Sequence, residues 1–134
     1  MIYLDASALI KLVILERESE ELDRWLAARQ GVPQLTSELG SVEVIRGCRR
    51  VDEALVSIAA TVLAPIAYLA LSRQVLDRAQ TVGVPALRAL DAIHLSSALS
   101  LGSELSAFVT YDRRLQAAAE VEGLPVVAPE PRRL

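Results

Sequence analysis

Four carboxylates stand where an α/β chain does chemistry. Asp5 directly follows the apolar run Ile2-Tyr3-Leu4, and Asp112 directly follows Phe108-Val109-Thr110-Tyr111. In parallel sheets, ligands bind outside the carboxyl ends of the strands. Two acids at strand ends would therefore lie along one working edge. Asp91 sits inside the helical, mostly apolar pattern Leu87-Arg88-Ala89-Leu90-Asp91-Ala92-Ile93-His94-Leu95, and Glu43 sits among Val42, Val44 and Ile45. A carboxylate in such surroundings is costly unless it is paired, hydrogen-bonded or bound to metal. Four of them in one cleft would repel, raising their pKa values unless cations neutralised them. Oxygen-only ligands select hard cations, Mg2+ or Mn2+. Such a site positions a water, lowers its pKa and offsets charge on a phosphodiester under attack.

Each acid alone has a plainer reading. An Asp between strand and helix is a good N-cap, which would account for Asp5 and Asp112. Asp91 could pair with Arg88, and Glu43 with Arg46 three residues on. The joint pattern is what favours a site. His94 lies one helical turn from Asp91 and reads as a packed or supporting residue, because a metal can activate water without it. Arg46, Arg49 and Arg50 follow Glu43, and Arg113 and Arg114 follow Asp112. They could meet phosphates at the rim of an acidic cleft; solvated surface arginines are the competing reading.

The elements that must position these groups follow from apolar spacing. Strands are expected at 1–4, 34–36, 62–64, 107–111 and 124–127. Helices are expected from Ala8, over 19–30, from Ser37, over 71–82, over 87–101 and over 113–122. Strands alternating with helices favour an α/β domain with a mostly parallel sheet and right-handed crossovers. Residues 129–134 read as a peripheral tail.

The 134 residues suit one domain, 1–134. Apolar residues at 52% and charged residues at 23% exclude disorder, and aromatics at 4% leave the core to Leu, Val, Ile and Ala. Seventeen acids against fourteen bases give a net charge of −3, which argues against coating nucleic acid by bulk charge but not against gripping it locally. Cys48 is the single cysteine, so an internal disulfide and a cysteine metal site are excluded. The N-terminus reads as a strand and not a signal peptide. The uncharged stretch 54–72 carries Pro65 in its middle, with Ser57 and Thr61, and does not read as a membrane span.

MIYLDASALIKL, SELGSVEVIRG, LRALDAIHLSSAL and FVTYDRRL together resemble the four acidic motifs of the PIN-domain family, in the family's order and over the whole chain. More narrowly, a stand-alone PIN domain of this length resembles the VapC toxins of bacterial type II toxin–antitoxin modules. The resemblance implies a three-layer α/β/α domain with four or five short strands. It implies a Mg2+- or Mn2+-dependent endoribonuclease with one or two ions, leaving a 3′-hydroxyl and a 5′-phosphate. It maps the acids onto Asp5, Glu43, Asp91 and Asp112, with Asp5 and Asp91 as direct ligands and Glu43 and Asp112 binding directly or through water. Ser7 matches a small hydroxyl position that holds Asp5 or a water, or serves the helix start. Arg46, Arg113 and Arg114 are the RNA-contact candidates. The expected partners are RNA, a VapB-like antitoxin and a second copy of the chain, in the bacterial cytoplasm. Leu9, Leu12, Val13, Leu22, Trp25 and Leu26 could take an antitoxin helix in a groove; ordinary core is their default reading.

Two rivals differ in class. A phosphoacceptor receiver domain needs an acidic pair at the first strand and a late lysine, whereas Asp5 stands alone and Lys11 is the single lysine. A catalytically silent PIN-like binding module would have no need of the intact acidic set.

Overall fold

The computed structural model describes residues 1–132. Its centre is a five-stranded sheet of β1 (Ile2–Leu4), β2 (Gln34–Ser37), β3 (Ala67–Leu69), β4 (Ala107–Val109) and β5 (Val126–Val127). The order is β3-β2-β1-β4-β5, and every pairing is parallel. From β1 the chain moves one way to β2 and β3, then returns to the other side for β4 and β5. The topological switch therefore falls between β1 and β4, where open parallel sheets form their crevice.

Alternating strand residues feed two cores. Ile2, Leu4, Ala107 and Val109 face one side, where they meet α1 (Ala6–Lys11), α2 (Ser19–Ala27), α3 (Glu38–Val51) and α4 (Leu55–Leu63) through Leu9, Leu22, Val44 and Leu63. Tyr3 and Phe108 face the other, where they meet α6 (Ala89–Leu99) and α7 (Arg113–Val121) through Leu95 and Leu115. Helix α5 (Arg73–Ala79) packs on α6. The three layers match the expected α/β/α arrangement. Strands buried on both faces explain the apolar runs at Ile2–Leu4 and Ala107–Val109. Truncating a fully buried side chain such as Leu9 to Ala would cost about 2–5 kcal/mol.

One expected strand is corrected. Residues 62–64 end α4 and do not form a strand. Ala59 and Leu63, one turn apart, are the buried positions that hold this helix, so helical spacing overrides the β-branched Val62. Pro65 follows the C-cap Ala64, and the strand begins beyond it at Ala67, pairing with Leu35. Helices α2, α5 and α6 are each shorter than their apolar patterns: turns follow all three, and the extended N-caps Ser72 and Arg88 delay the start of α5 and α6. No helix among the described residues is long and apolar enough to cross a membrane. In the expected tail, the Tyr111 hydroxyl donates to Pro129 O at 2.7 Å; residues 133 and 134 lie outside the described residues.

Candidate active site

Asp5 ends β1 and opens α1. Its amide donates to Val109 O at 3.1 Å, fixing it to β4. Its Oδ1 accepts from the Ala8 amide at 3.0 Å and the Ser7 hydroxyl at 2.7 Å; its Oδ2 accepts from the Thr110 hydroxyl at 2.6 Å. Both hydroxyls also serve the next loop. Ser7 Oγ accepts from the Tyr111 amide at 2.9 Å, and Thr110 Oγ1 from the Asp112 amide at 3.1 Å. Asp5, Ser7, Thr110 and Asp112 thus form one network across the β1/β4 switch point.

Asp112 caps α7, its Oδ1 accepting from the amides of Arg114 at 2.9 Å and Leu115 at 3.0 Å. Capping therefore describes both strand-end acids, yet it does not use them up. Asp112 Oδ2 has no partner among the described residues, and Asp5 Oδ2 accepts one bond where a carboxylate oxygen can take two.

The two plain pairings for the helical acids are not formed. Glu43 on α3 turns from Arg46 to His94, with Oε1 at 2.5 Å from Nε2. Asp91, in the first turn of α6, makes no ion pair with Arg88 and accepts no hydrogen bond among the described residues. The Glu43–His94 bond spans the sheet's two faces, because α3 packs on one and α6 on the other. His94 is itself buried, with Nδ1 at 2.7 Å from the Tyr3 hydroxyl.

The four acids lie close enough to feel one another. Burial raises the Asp91 carboxyl above its ordinary range, and the charges of Asp112, Asp5 and Glu43 add to this, opposed by His94. Burial also raises Asp5, offset in part by His94 and by the hydroxyls of Thr110 and Ser7. Among the described residues, no three His, Cys, Asp or Glu side chains converge tightly enough to hold an ion as they stand. Asp5 is drawn toward Ser7 and Thr110, and Glu43 toward His94. The donor chemistry nevertheless fits a hard divalent cation: oxygen atoms only, mutually repelling, with open positions on Asp91, Asp112, Asp5 and Glu43.

Arginines line two small clefts. A cleft of about 240 Å³ is lined by Arg88, Asp91, Asp112, Arg113 and Arg114. Arg46 lines a second, with Arg49, Arg50 and Glu53, in which Arg49 pairs with Glu53 at 2.8 Å. Arg88, Arg113, Arg114 and Arg46 form no ion pair among the described residues. Sequence reasoning did not single out Arg88 for substrate contact, nor Thr110 and Tyr3 as supports. A hydroxyl two residues before Asp112, at the end of an apolar strand, was the available sign for Thr110.

The family model of the PIN domain matches residues 2–121. The chain belongs to the PIN-domain family. Ribonuclease VapC35 of Mycobacterium tuberculosis is 44% identical to this PIN domain over 131 residues, covering 96% of this chain and 97% of that protein. Ribonuclease VapC47 of the same species is 42% identical over 132 residues, with the same shares covered. Solved structures share the fold at lower identity. One is VapBC2 of Rickettsia felis bound to a promoter DNA fragment, with a TM-score of 0.75 at 13% identity, covering 97% of this chain and 100% of that one. Another is Mycobacterium tuberculosis VapC20, described as a sarcin-ricin loop cleaving toxin, with a TM-score of 0.72 at 17% identity, covering 88% and 95%.

Proposed function

We propose that this PIN domain is a Mg2+- or Mn2+-dependent endoribonuclease and the toxin of a VapBC-type toxin–antitoxin module. The observation that carries the reading is the gathering of Asp5, Glu43, Asp91 and Asp112 at the β1/β4 switch point, where Asp91 is raised by burial and by its three acidic neighbours. The names of the VapC35 and VapC47 relatives, both ribonucleases, support the substrate class.

Asp5 and Asp91 hold one or two ions directly, and Glu43 and Asp112 hold them directly or through water. When bound, the ion supplies a water of lowered pKa and charge that offsets that of the phosphodiester. The protein does the rest. Ser7 and Thr110 fix the Asp5 carboxylate by donating to opposite oxygens. Arg88, Arg113 and Arg114 bind RNA phosphates beside Asp91 and Asp112, and Arg46 extends that track along α3. Hydrolysis leaves a 3′-hydroxyl and a 5′-phosphate without a covalent protein intermediate.

The partners are RNA, a VapB-like antitoxin and a second copy of the chain, and the setting is the bacterial cytoplasm. Leu9, Leu22 and Leu26 are packed in the core, which leaves Leu12, Val13 and Trp25, partly exposed, as the surface for an antitoxin segment. Light scattering tests the dimer, and co-purification with the cognate antitoxin tests the module.

The deciding experiment incubates the purified chain with total cellular RNA in Mn2+, with and without chelator, beside Asp91→Asn. Cleavage that needs the cation and is lost in the variant supports the reading. Cleavage that survives both treatments overturns the site, and no cleavage by the wild type favours a silent binding module.

A further inference from the structure

We propose that Tyr3 and His94 are positioning residues for Glu43, forming a buried clamp that fixes which Glu43 oxygen faces the reaction. This rests on the role proposed above for Glu43. The clamp joins three elements far apart in sequence. Tyr3 on β1 bonds His94 Nδ1 at 2.7 Å, and His94 on α6 bonds Glu43 Oε1 on α3 at 2.5 Å. Tyr3 is 0% exposed and His94 1%, so no water competes for either ring atom.

The direction of the bonds follows from chemistry. A tyrosine phenol is an O–H donor at neutral pH, and that of Tyr3 faces ring Nδ1 at 2.7 Å. The ring takes that bond at Nδ1 and presents Nε2–H to the carboxylate. The nitrogen facing one partner is set by the bond the other nitrogen makes. The edge of the Tyr3 ring also packs against His94, with ring centroids 5.8 Å apart at an interplanar angle of 77°, which limits ring rotation. Glu43 Oε1 is thereby occupied, and Oε2 is the oxygen left for the site.

Two further features suit this purpose. The hydroxyls of Thr36 and Ser97 are buried without hydrogen-bond partners and bear on the Tyr3 phenol, whose oxygen has lone pairs to offer. Gly40, one turn before Glu43, has no side chain where it crosses Thr36, so α3 can approach the sheet closely enough for Glu43 to reach His94.

His94 is the single histidine of the chain, so its ring nitrogens can be read without ambiguity by 15N nuclear magnetic resonance. The wild type should show one ring state with the proton on Nε2 and a hydrogen-bonded Nδ1. Tyr3→Phe should shift the Nδ1 resonance and broaden both as the ring is released. It should lower kcat by about 10–100-fold, the range for groups that orient metal ligands, with KM changed less than about two-fold. His94→Gln, which keeps a donor near the Nε2 position, should retain more activity than His94→Leu. Unchanged ring signals in Tyr3→Phe would overturn the proposal, as would wild-type kcat in a variant whose ring is released. The resonance readout needs no cleavage, so it tests the clamp even if the ribonuclease reading fails.

Discussion

Replacing Gly40 by Ala separates what helps a helix from what this site needs. A Cβ at residue 40 would lie 2.4 Å from Thr36 Oγ1, 3.0 Å from Cγ2 and 3.3 Å from Cβ. Carbon contacts are comfortable at about 3.5–4.0 Å, so α3 must lift from β2 by about 1 Å. Turning Thr36 about χ1 is no free escape, because the residue is fully buried and the rotation would drive Cγ2 or Oγ1 into other packed neighbours. In favour of the change, Gly→Ala improves helix propensity by about 1 kcal/mol. Against it, overpacking a fixed interface costs about 1–3 kcal/mol. The net expectation is a loss of about 0–2 kcal/mol, or up to roughly 8 °C in Tm for a domain of this size. The effect on rate should be larger, since a 1 Å displacement of a positioned group costs about 100-fold. Melting and single-turnover RNA cleavage measure the two quantities. Adding Thr36→Ala should raise both again, because it removes the Oγ1 and Cγ2 atoms that the new Cβ would meet. The reasoning is refuted if Gly40→Ala melts and cleaves like wild type, or if the double variant is no better than the single one.

Asp91→Asn should cut cleavage by about 1000-fold or more while the metal-free variant melts no lower than wild type, because the lost charge is opposed by its neighbours; a clear drop in Tm would mean that Asp91 is a structural partner. Asp5 and Asp91 are both raised above the usual carboxylate range, so the folded chain binds more protons than the unfolded one between the two pKa values. Their contribution therefore falls as pH rises from the ordinary Asp value through the folded values, and metal-free Tm should decline over that window, less steeply in Asp91→Asn. Mn2+ at neutral pH should reverse the loss, by about 2.7 kcal/mol at one hundred times its Kd; a Tm indifferent to Mn2+ would contradict the metal site. Arg88→Ala should weaken RNA binding and lower the slope of log affinity against log salt by about 0.7, as expected for one lost phosphate contact on a single strand.

The sequence was most readable where one physical rule acts alone. Ile2-Tyr3-Leu4 and Ala107–Val109 are buried on both faces, so their apolar runs marked central strands directly, and the acids following them marked the working edge. Asp91 was conspicuous because a carboxylate inside an apolar helix demands an explanation. Residues 62–64 were misread because a β-branched residue before Pro65 resembles a strand end, whereas burial of Ala59 and Leu63 decides for helix. The partners of the acids were not legible. Glu43 has Arg46 at ideal helical spacing, yet it bonds His94 across the sheet, a choice fixed by how α3 and α6 both pack on β2. Thr110 and Tyr3 act through contacts more than ninety residues away in sequence, and no local pattern announces them.

The most direct measurement is a crystal structure grown with Mn2+, read by anomalous scattering. The account predicts a peak within about 2.2 Å of carboxylate oxygens of both Asp5 and Asp91, with Glu43 or Asp112 completing the shell directly or through water. A protein that binds Mn2+ elsewhere, or whose Asp5 and Asp91 remain without an ion at saturating concentration, contradicts it.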